Sequence, residues 1–397
     1  MRIIYNEMKK LWSWKILGIV AVVCALFFIM FMSYDVTYYK KGNHPHAENV
    51  YYAEELVRLY GTSITAGELA DYISAERNRL INEAETYIPT MPVFTQAGVY
   101  SFEAYEALRE SDRELTQAES TAYWALSGEE CGYLVFYLQA LASMENNYGF
   151  KPSTISNPDS FWQDLNDKEQ TRYKEMLQNG EIHSVFSLWT YMNTKSYSVS
   201  FAIMLMLSVM IFTSPLLVSD RHENAHHLQY SSKLGRRIIN RQLIATLLSA
   251  FILTTLLILI FGGIYSVNGT HVFWNNNINS EFNIGHYSVF SLTYGQWVAA
   301  MIALMYVLAF GISMLAFILS RFSRNLITLV MKLIPMFAAA AYLCGVVFGD
   351  LFSMLYNKLY NLFRIFGTEA YVCGGIALLA FAAVFYVVRR EKRVDVM

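Results

Sequence analysis

Six apolar stretches of near-uniform length interrupt an otherwise polar chain, at 16–34, 198–218, 243–266, 297–320, 326–348 and 369–388. Each is close to the ~20 residues a helix needs to cross about 30 Å of hydrocarbon. Backbone groups in lipid must bond within their own segment, so runs this apolar are expected to be helices. A seventh apolar patch, at 132–142, is too short to span and is flanked by Glu129, Glu130 and Glu145. The first stretch follows a basic, amphipathic segment (1–15) carrying Trp12 and Trp14, and no small-residue cleavage site follows Met32. A retained anchor is therefore expected rather than a signal peptide.

The polar block at 35–197 is long enough for a core of its own and reads as mainly helical. Thr65-Ala66-Gly67-Glu68 and Ser127-Gly128-Glu129-Glu130 match capping boxes, and Ser160-Phe161-Trp162-Gln163 repeats the pattern. Two further polar segments follow, at 267–296 and 349–368. The second contains Leu351-Phe352-Ser353-Met354-Leu355-Tyr356, too apolar for a free loop and too short to span, and is expected to dip into the leaflet or lie on it. The expected fold class is an all-α polytopic membrane protein, with six transmembrane helices and a large helical extracytoplasmic domain between the first two.

Charge gives that arrangement a direction. The chain has 397 residues, 55% hydrophobic and 16% charged. Its net charge of −2 conceals a separation: 35–195 holds 24 acidic and 12 basic residues, whereas the remainder holds 8 and 18. Bases cluster at the N-terminus (Arg2, Lys9, Lys10, Lys15), at 219–242 (Arg221, Lys233, Arg236, Arg237, Arg241), at Arg321 and Arg324, and in the tail 389–397. With six spans all four clusters share one side. The positive-inside rule makes it cytoplasmic, with both termini inside the cell membrane and 35–197 outside.

Candidate chemistry is sparse. His222-Glu223-Asn224-Ala225-His226 matches H-E-x-x-H, which on a helix can hold zinc with the glutamate as general base. A catalytic zinc needs a third protein ligand. The sequence supplies no good donor, and the setting is strongly basic. There is no Gly-Lys dipeptide, hence no P-loop, and no G-x-G-x-x-G; any ATP and Mg must be bound by a partner. The basic run at 233–241 is explained by topology and by membrane lipid phosphates, without nucleic acid. Cys24, Cys131, Cys344 and Cys373 show no metal or redox spacing. Lys332 enters the fifth span about 9 Å from its inner end, to snorkel or to line a path. Thr213-Ser214-Pro215 and Pro335 are expected to kink their helices.

The layout resembles the type 2 ABC transporter permease family over nearly the whole chain. Local residues carry the resemblance as well: Asp220-Arg221-His222-Glu223 followed by Leu228 to Arg236 in the first inner loop, Leu292-Thr293-Tyr294-Gly295-Gln296 opening the fourth span, and Leu319 to Asn325 closing it. Arg241 stands where a lysine is expected. The resemblance implies two permease subunits, identical or related, above two separate ATP-binding cassette subunits that hydrolyse ATP, with no enzyme activity or cofactor on this chain. It makes Glu223, Tyr230, Gly235, Arg236 and Arg237 ATPase-coupling candidates, and spans two and five the path, where Ser208, Thr213, Ser214 and Lys332 are candidates. The expected substrate is a peptide, antimicrobial or lipid-like molecule. Two other classes stay open: a membrane zinc metalloprotease using His222, Glu223 and His226, and a sensor whose outer domain binds a ligand.

Overall fold

A computed structural model describes residues 2–40, 47–147, 165–222, 238–283 and 285–391, and every regular element among them is a helix. A short helix α1 (Arg2–Leu11) precedes the first long one, α2 (Trp14–Thr37). Among the described residues seven α-helices then form the polar block: α3 (Ala47–Tyr60), α4 (Ala66–Tyr87), α5 (Pro92–Gln96), α6 (Phe102–Arg109), α7 (Gln117–Ala125), α8 (Leu134–Asn147) and α9 (Asp167–Gln178). The remainder comprises α10 (Leu188–Thr213) continued by α11 (Pro215–His222), then α12 (Ile238–Ser266), α13 (Tyr294–Arg321), α14 (Leu326–Phe348), the short α15 (Lys358–Phe363) and α16 (Thr368–Glu391). Six helices among the described residues are long and apolar enough to cross a membrane: α2, α10 with α11, α12, α13, α14 and α16. The chain is a multi-pass membrane protein.

Ordinary helix signals set the starts. Ser13 caps α2, Thr293 and Gln296 form a capping box on α13, and Asn325 with Thr328 does the same on α14. In the polar block the expected box at Thr65 and Glu68 is present. The one expected at Ser127 is not: Gly128 takes the cap position of a single 3₁₀ turn, Glu129–Cys131, which Gly132 ends in the left-handed region at φ +59°. Ser160 to Gln163 lie outside the described residues. The apolar patch at 132–142 becomes the start of α8, whose Leu134, Val135, Ala140 and Leu141 are buried beside α3 and α4.

Burial ranks the spans. The most apolar window of α10–α11 is 78% buried, against 56% for α13 and 11% for α14. Accordingly α10 lies at the centre, touching α2, α12, α13 and α14, and from Phe201 onward it is apolar on nearly every side. Helix α13 packs most closely on α16, where Gly311 lets the backbones meet: a Cβ there would stand 3.4 Å from Ala377 Cα. Pro335 lies inside α14 and Pro215 opens α11 after Ser214. All four cysteines are free and buried.

The polar block is docked on the spans, with one continuous buried core running through both. Helix α10 starts at Leu188, earlier than its apolar run, because its first turns are covered by protein. There Tyr191 stacks on Trp297 and meets the His286 ring at a tilt, each at 4.8 Å. The apolar stretch 351–354, expected in or on the leaflet, is also covered by protein. Phe352 and Met354 pair their backbones with Val289 and Tyr287, and Leu351 O accepts from Trp297 Nε1 at 3.1 Å.

Helix α9 is the clamp. Arg172 donates to both Glu181 oxygens (3.0 and 2.6 Å) and to Val289 O (3.1 Å), while Asn279 donates to Glu181 Oε2 at 2.8 Å. Fully buried Glu169 accepts from Tyr360 OH (2.5 Å) and Arg364 (2.7 Å) beside α15. Burial raises the Glu181 carboxyl, but Arg172 and Asn279 outweigh it and hold the group below its ordinary value. Its stabilising contribution is therefore complete above the unfolded value near 4.3 and is lost as pH falls through the lower folded value.

Glu181→Ala strands a buried guanidinium, and breaking a buried pair this way costs about 3–5 kcal/mol. Thermal melts of the detergent-purified protein at neutral pH should show a large loss for Glu181→Ala, and the gap to wild type should narrow as the medium is acidified below about pH 4. An unchanged melt at neutral pH would remove the clamp.

Candidate functional site

The sequence-level coupling candidates Glu223, Tyr230, Gly235, Arg236 and Arg237 lie outside the described residues, as do Glu223 and His226 of the zinc pattern. His222 is the last residue of α11. No group of three or more metal-ligating side chains occurs among the described residues.

The four path candidates are not brought together. Ser208 is fully buried, donating to Met204 O (2.8 Å) and sharing a hydrogen bond with Cys24 Sγ of α2 (3.3 Å). Thr213 returns its hydroxyl to Val209 O at 2.7 Å, and Ser214 is buried at the break before Pro215. The hydroxyls of Ser208 and Thr213 are thus turned into helix packing, the usual way a polar residue is tolerated inside a span. Lys332 bends back to the turn between α13 and α14, donating to Phe322 O (2.8 Å) and Ser323 Oγ (3.4 Å). That is the snorkelling geometry, with the ammonium carried toward the helix end.

A different polar cluster stands where α1, α11 and α12 meet, at the ends that flank 223–237. Lys10 Nζ bonds both oxygens of Glu7 at 3.0 Å and Asp220 Oδ1 at 2.8 Å. From the first turn of α12, Gln242 Nε2 donates to Asp220 Oδ2 at 2.7 Å and Glu7 Oε2 at 3.2 Å. Glu7, Asp220 and Gln242 are 5%, 4% and 3% exposed, respectively. One turn on, Trp12 donates its indole N–H to Ser249 Oγ (3.2 Å) and meets the Phe212 ring edge-on at 5.1 Å.

The local sequence explains the arrangement. In α1 the three-residue spacing of Glu7 and Lys10 puts them on one face, with buried Leu11 beside them. On the outer face Tyr5 is 68% exposed, which suits an amphipathic helix at the headgroup level. Two buried carboxylates converge on one ammonium and one buried side-chain amide; the Lys10 side chain itself keeps 40% of its surface exposed, so the cluster is dry on its carboxylate and amide side only. Burial lowers the Lys10 pKa, but Asp220 and Glu7 outweigh it and raise it above 10.5. The tie is therefore complete below the unfolded lysine value and is lost only as pH rises through the higher folded one. It is closed at any physiological pH.

Chemically the cluster is a mechanical joint. It holds no nucleophile–base pair and no cation site, and it fixes α1 to the helices on either side of residues 223–237. Sequence reading placed Glu7, Lys10 and Asp220 in their segments without pairing them. Glu7 and Asp220 are acids inside largely basic clusters, but Glu223, Glu391 and Asp395 share that setting, so the sequence alone does not single out the pair.

No protein-family model, curated protein or solved structure matches this chain.

Lys10→Met leaves Glu7 and Asp220 without their cation and should free α1. Leu11→Cys, fully buried in the wild-type setting, should react with maleimide at least tenfold faster when combined with Lys10→Met. Equal rates in the two backgrounds would show that the ion pairs do not hold the helix.

Proposed function

We infer that this chain is the permease subunit of an ATP-driven ABC transporter, probed best at the Glu7–Lys10–Asp220–Gln242 joint. Lys10, Glu7 and Asp220 are the observation that carries the reading. A protein moved by an external motor needs a stiff link between the docking loop and the helices that move. The joint supplies one on both sides of 223–237. Force on that loop reaches α11 and the start of α12 together, and takes α1 with them. Helix α11 continues into α10, the most buried span, so the displacement enters the centre of the bundle as a rigid-body switch.

The resemblance assigns the motor to two cytoplasmic ATP-binding cassette subunits, which bind ATP and Mg, with Glu223, Tyr230, Gly235, Arg236 and Arg237 as their contacts. It assigns the remaining surface to a second permease subunit. Helix α14 suits that partner: it packs on α10 by one side and leaves Ile327, Met331, Ile334 and Tyr342 more than half exposed. The inner face carries 219–242, both termini and the joint, and the polar block 35–197 stands on the other face. Export of a peptide, antimicrobial or lipid-like substrate follows from the family layout.

Co-expression with a span-free P-loop ATPase encoded beside this chain tests the reading. Purification on a tag carried by this chain should yield a complex with two copies of each, with ATP hydrolysis faster than that of the ATPase alone. Asp220→Asn should leave the complex intact and abolish most of that stimulation, whereas charge reversal at both Glu223 and Arg236 should prevent assembly. A chain that purifies alone with stoichiometric zinc, and whose proteolysis is lost on Glu223→Gln, would overturn it.

A further inference from the structure

A cavity of about 320 Å³ lies between α10, α12 and α13, away from the joint and from Ser208, Thr213, Ser214 and Lys332. Its walls are Phe201 of α10, Ile258 of α12, and Val298, Met301, Ile302 and Met305 of α13. No Asp, Glu, Lys or Arg lines it. From Tyr294 to Met305 it follows α13 for roughly 16 Å at 1.5 Å per residue.

We propose that this cavity holds one hydrocarbon chain of a bilayer phospholipid, entering sideways between the ends of α12 and α13. Three observations lead there. First, the two helices are joined only over part of their length. Thr255 and Tyr306 share a hydrogen bond at 2.8 Å, and Phe251 stacks on Phe310 at 6.3 Å. Beyond that point Ile258 and Gly262 stand opposite Val298 and Ile302 across the cavity, and Gly262 is exposed. The side entrance therefore opens beside Leu259 and Ile260, which are 67% and 53% exposed on the apolar face of α12. That face meets lipid, so lipid chains are what the entrance meets.

Second, the polar end of the cavity asks nothing of a guest. Tyr265 OH donates to Asn193 Oδ1 (2.8 Å), Thr194 Oγ1 to Thr190 O (2.7 Å), and Tyr294 OH bonds Thr194 Oγ1 (2.9 Å). With those hydroxyls committed to one another, and buried Phe201, Met301 and Met305 below them, the interior suits a chain without polar atoms. Methionine side chains adapt to such a guest. A charged or strongly polar guest would lie unpaired at a cost of several kcal/mol.

Third, the rim suits a headgroup. Ser266, His271 and Trp274 lie at the same end as the hydroxyl network, and Trp274 is half exposed, as tryptophans at the membrane–water boundary are. A chain inside and its ester and headgroup at this rim match the polarity of the site from end to end. The volume is at the lower end of the range for small-molecule sites, enough for one chain rather than a whole lipid.

Photolabelling of the full chain in nanodiscs, with phosphatidylcholine carrying a diazirine on one acyl chain, tests the site. Adducts are expected on Met301 and Met305, which are 1% and 2% exposed and out of reach of lipid at the outer surface. Gly262→Phe has room, since nothing lies within 4 Å of a Cβ there. It should reduce those two adducts at least fivefold while Leu259 and Ile260 stay labelled; Ile302→Trp, from the opposite wall, should do the same, and Gly262→Ala should not. Adducts confined to Leu259 and Ile260 would overturn the proposal. So would labelling of Met301 and Met305 that both bulky variants leave unchanged, or that only a free diazirine fatty acid, and not the phospholipid, can produce.

Discussion

Lipid cannot solvate a charge or an open backbone group, and much of the polar architecture among the described residues follows from that constraint. Within the spans the backbone is closed by helices and the hydroxyls of Ser208, Thr213 and Thr246 return to carbonyls one turn back. At the span ends, where helices must meet loops, two paired ionic clusters stand out among the described residues. Lys10, Glu7 and Asp220 close one end, while Lys195 and Asp350, 3.0 Å apart, stand at the other beside His286. Burial raises Asp350, but His286 and Lys195 outweigh it and hold the carboxyl below its usual value.

The central helix connects these two ends. Helix α10 begins among the aromatic rings under the polar block and runs on as α11 into the Asp220 cluster. It is packed on all sides, by α14 and α13 most extensively and by α2 and α12 as well. A displacement applied at α11 therefore has a stiff route along the helix. The α9 clamp, through Arg172, Glu181 and Glu169, makes the polar block part of the same body. This mechanical continuity is the physical content of the proposed transporter reading.

The six spans were legible because apolar length is a local property, readable without neighbours. Their ends were less so. Residues 188–197 look polar, yet they are helical and largely covered, because loops distant in sequence supply their partners. For the same reason 351–354 reads as a leaflet segment when protein covers it: composition says that a residue avoids water, not what replaces the water. Capping boxes were legible at Thr65, where Glu68 reaches back, and misleading at Ser127, where Gly128 sets the turn. At the joint the residues were visible and the pairing was not, since Glu7 and Gln242 meet across 235 positions. The path candidates were chosen by residue type and depth; packing covers Ser208, Thr213 and Ser214, while Lys332 reaches back to the turn before its helix.

The central claim is that the α1–α11–α12 joint and the polar block lie on opposite faces of a six-span bundle. It is tested most directly by membrane-impermeant thiol labelling in intact cells, where the native cysteines, all buried, stay silent. Glu83→Cys on α4 should label from outside without permeabilisation, and Tyr5→Cys on α1 only after the membrane is opened. Labelling of both positions from the same face would contradict the account.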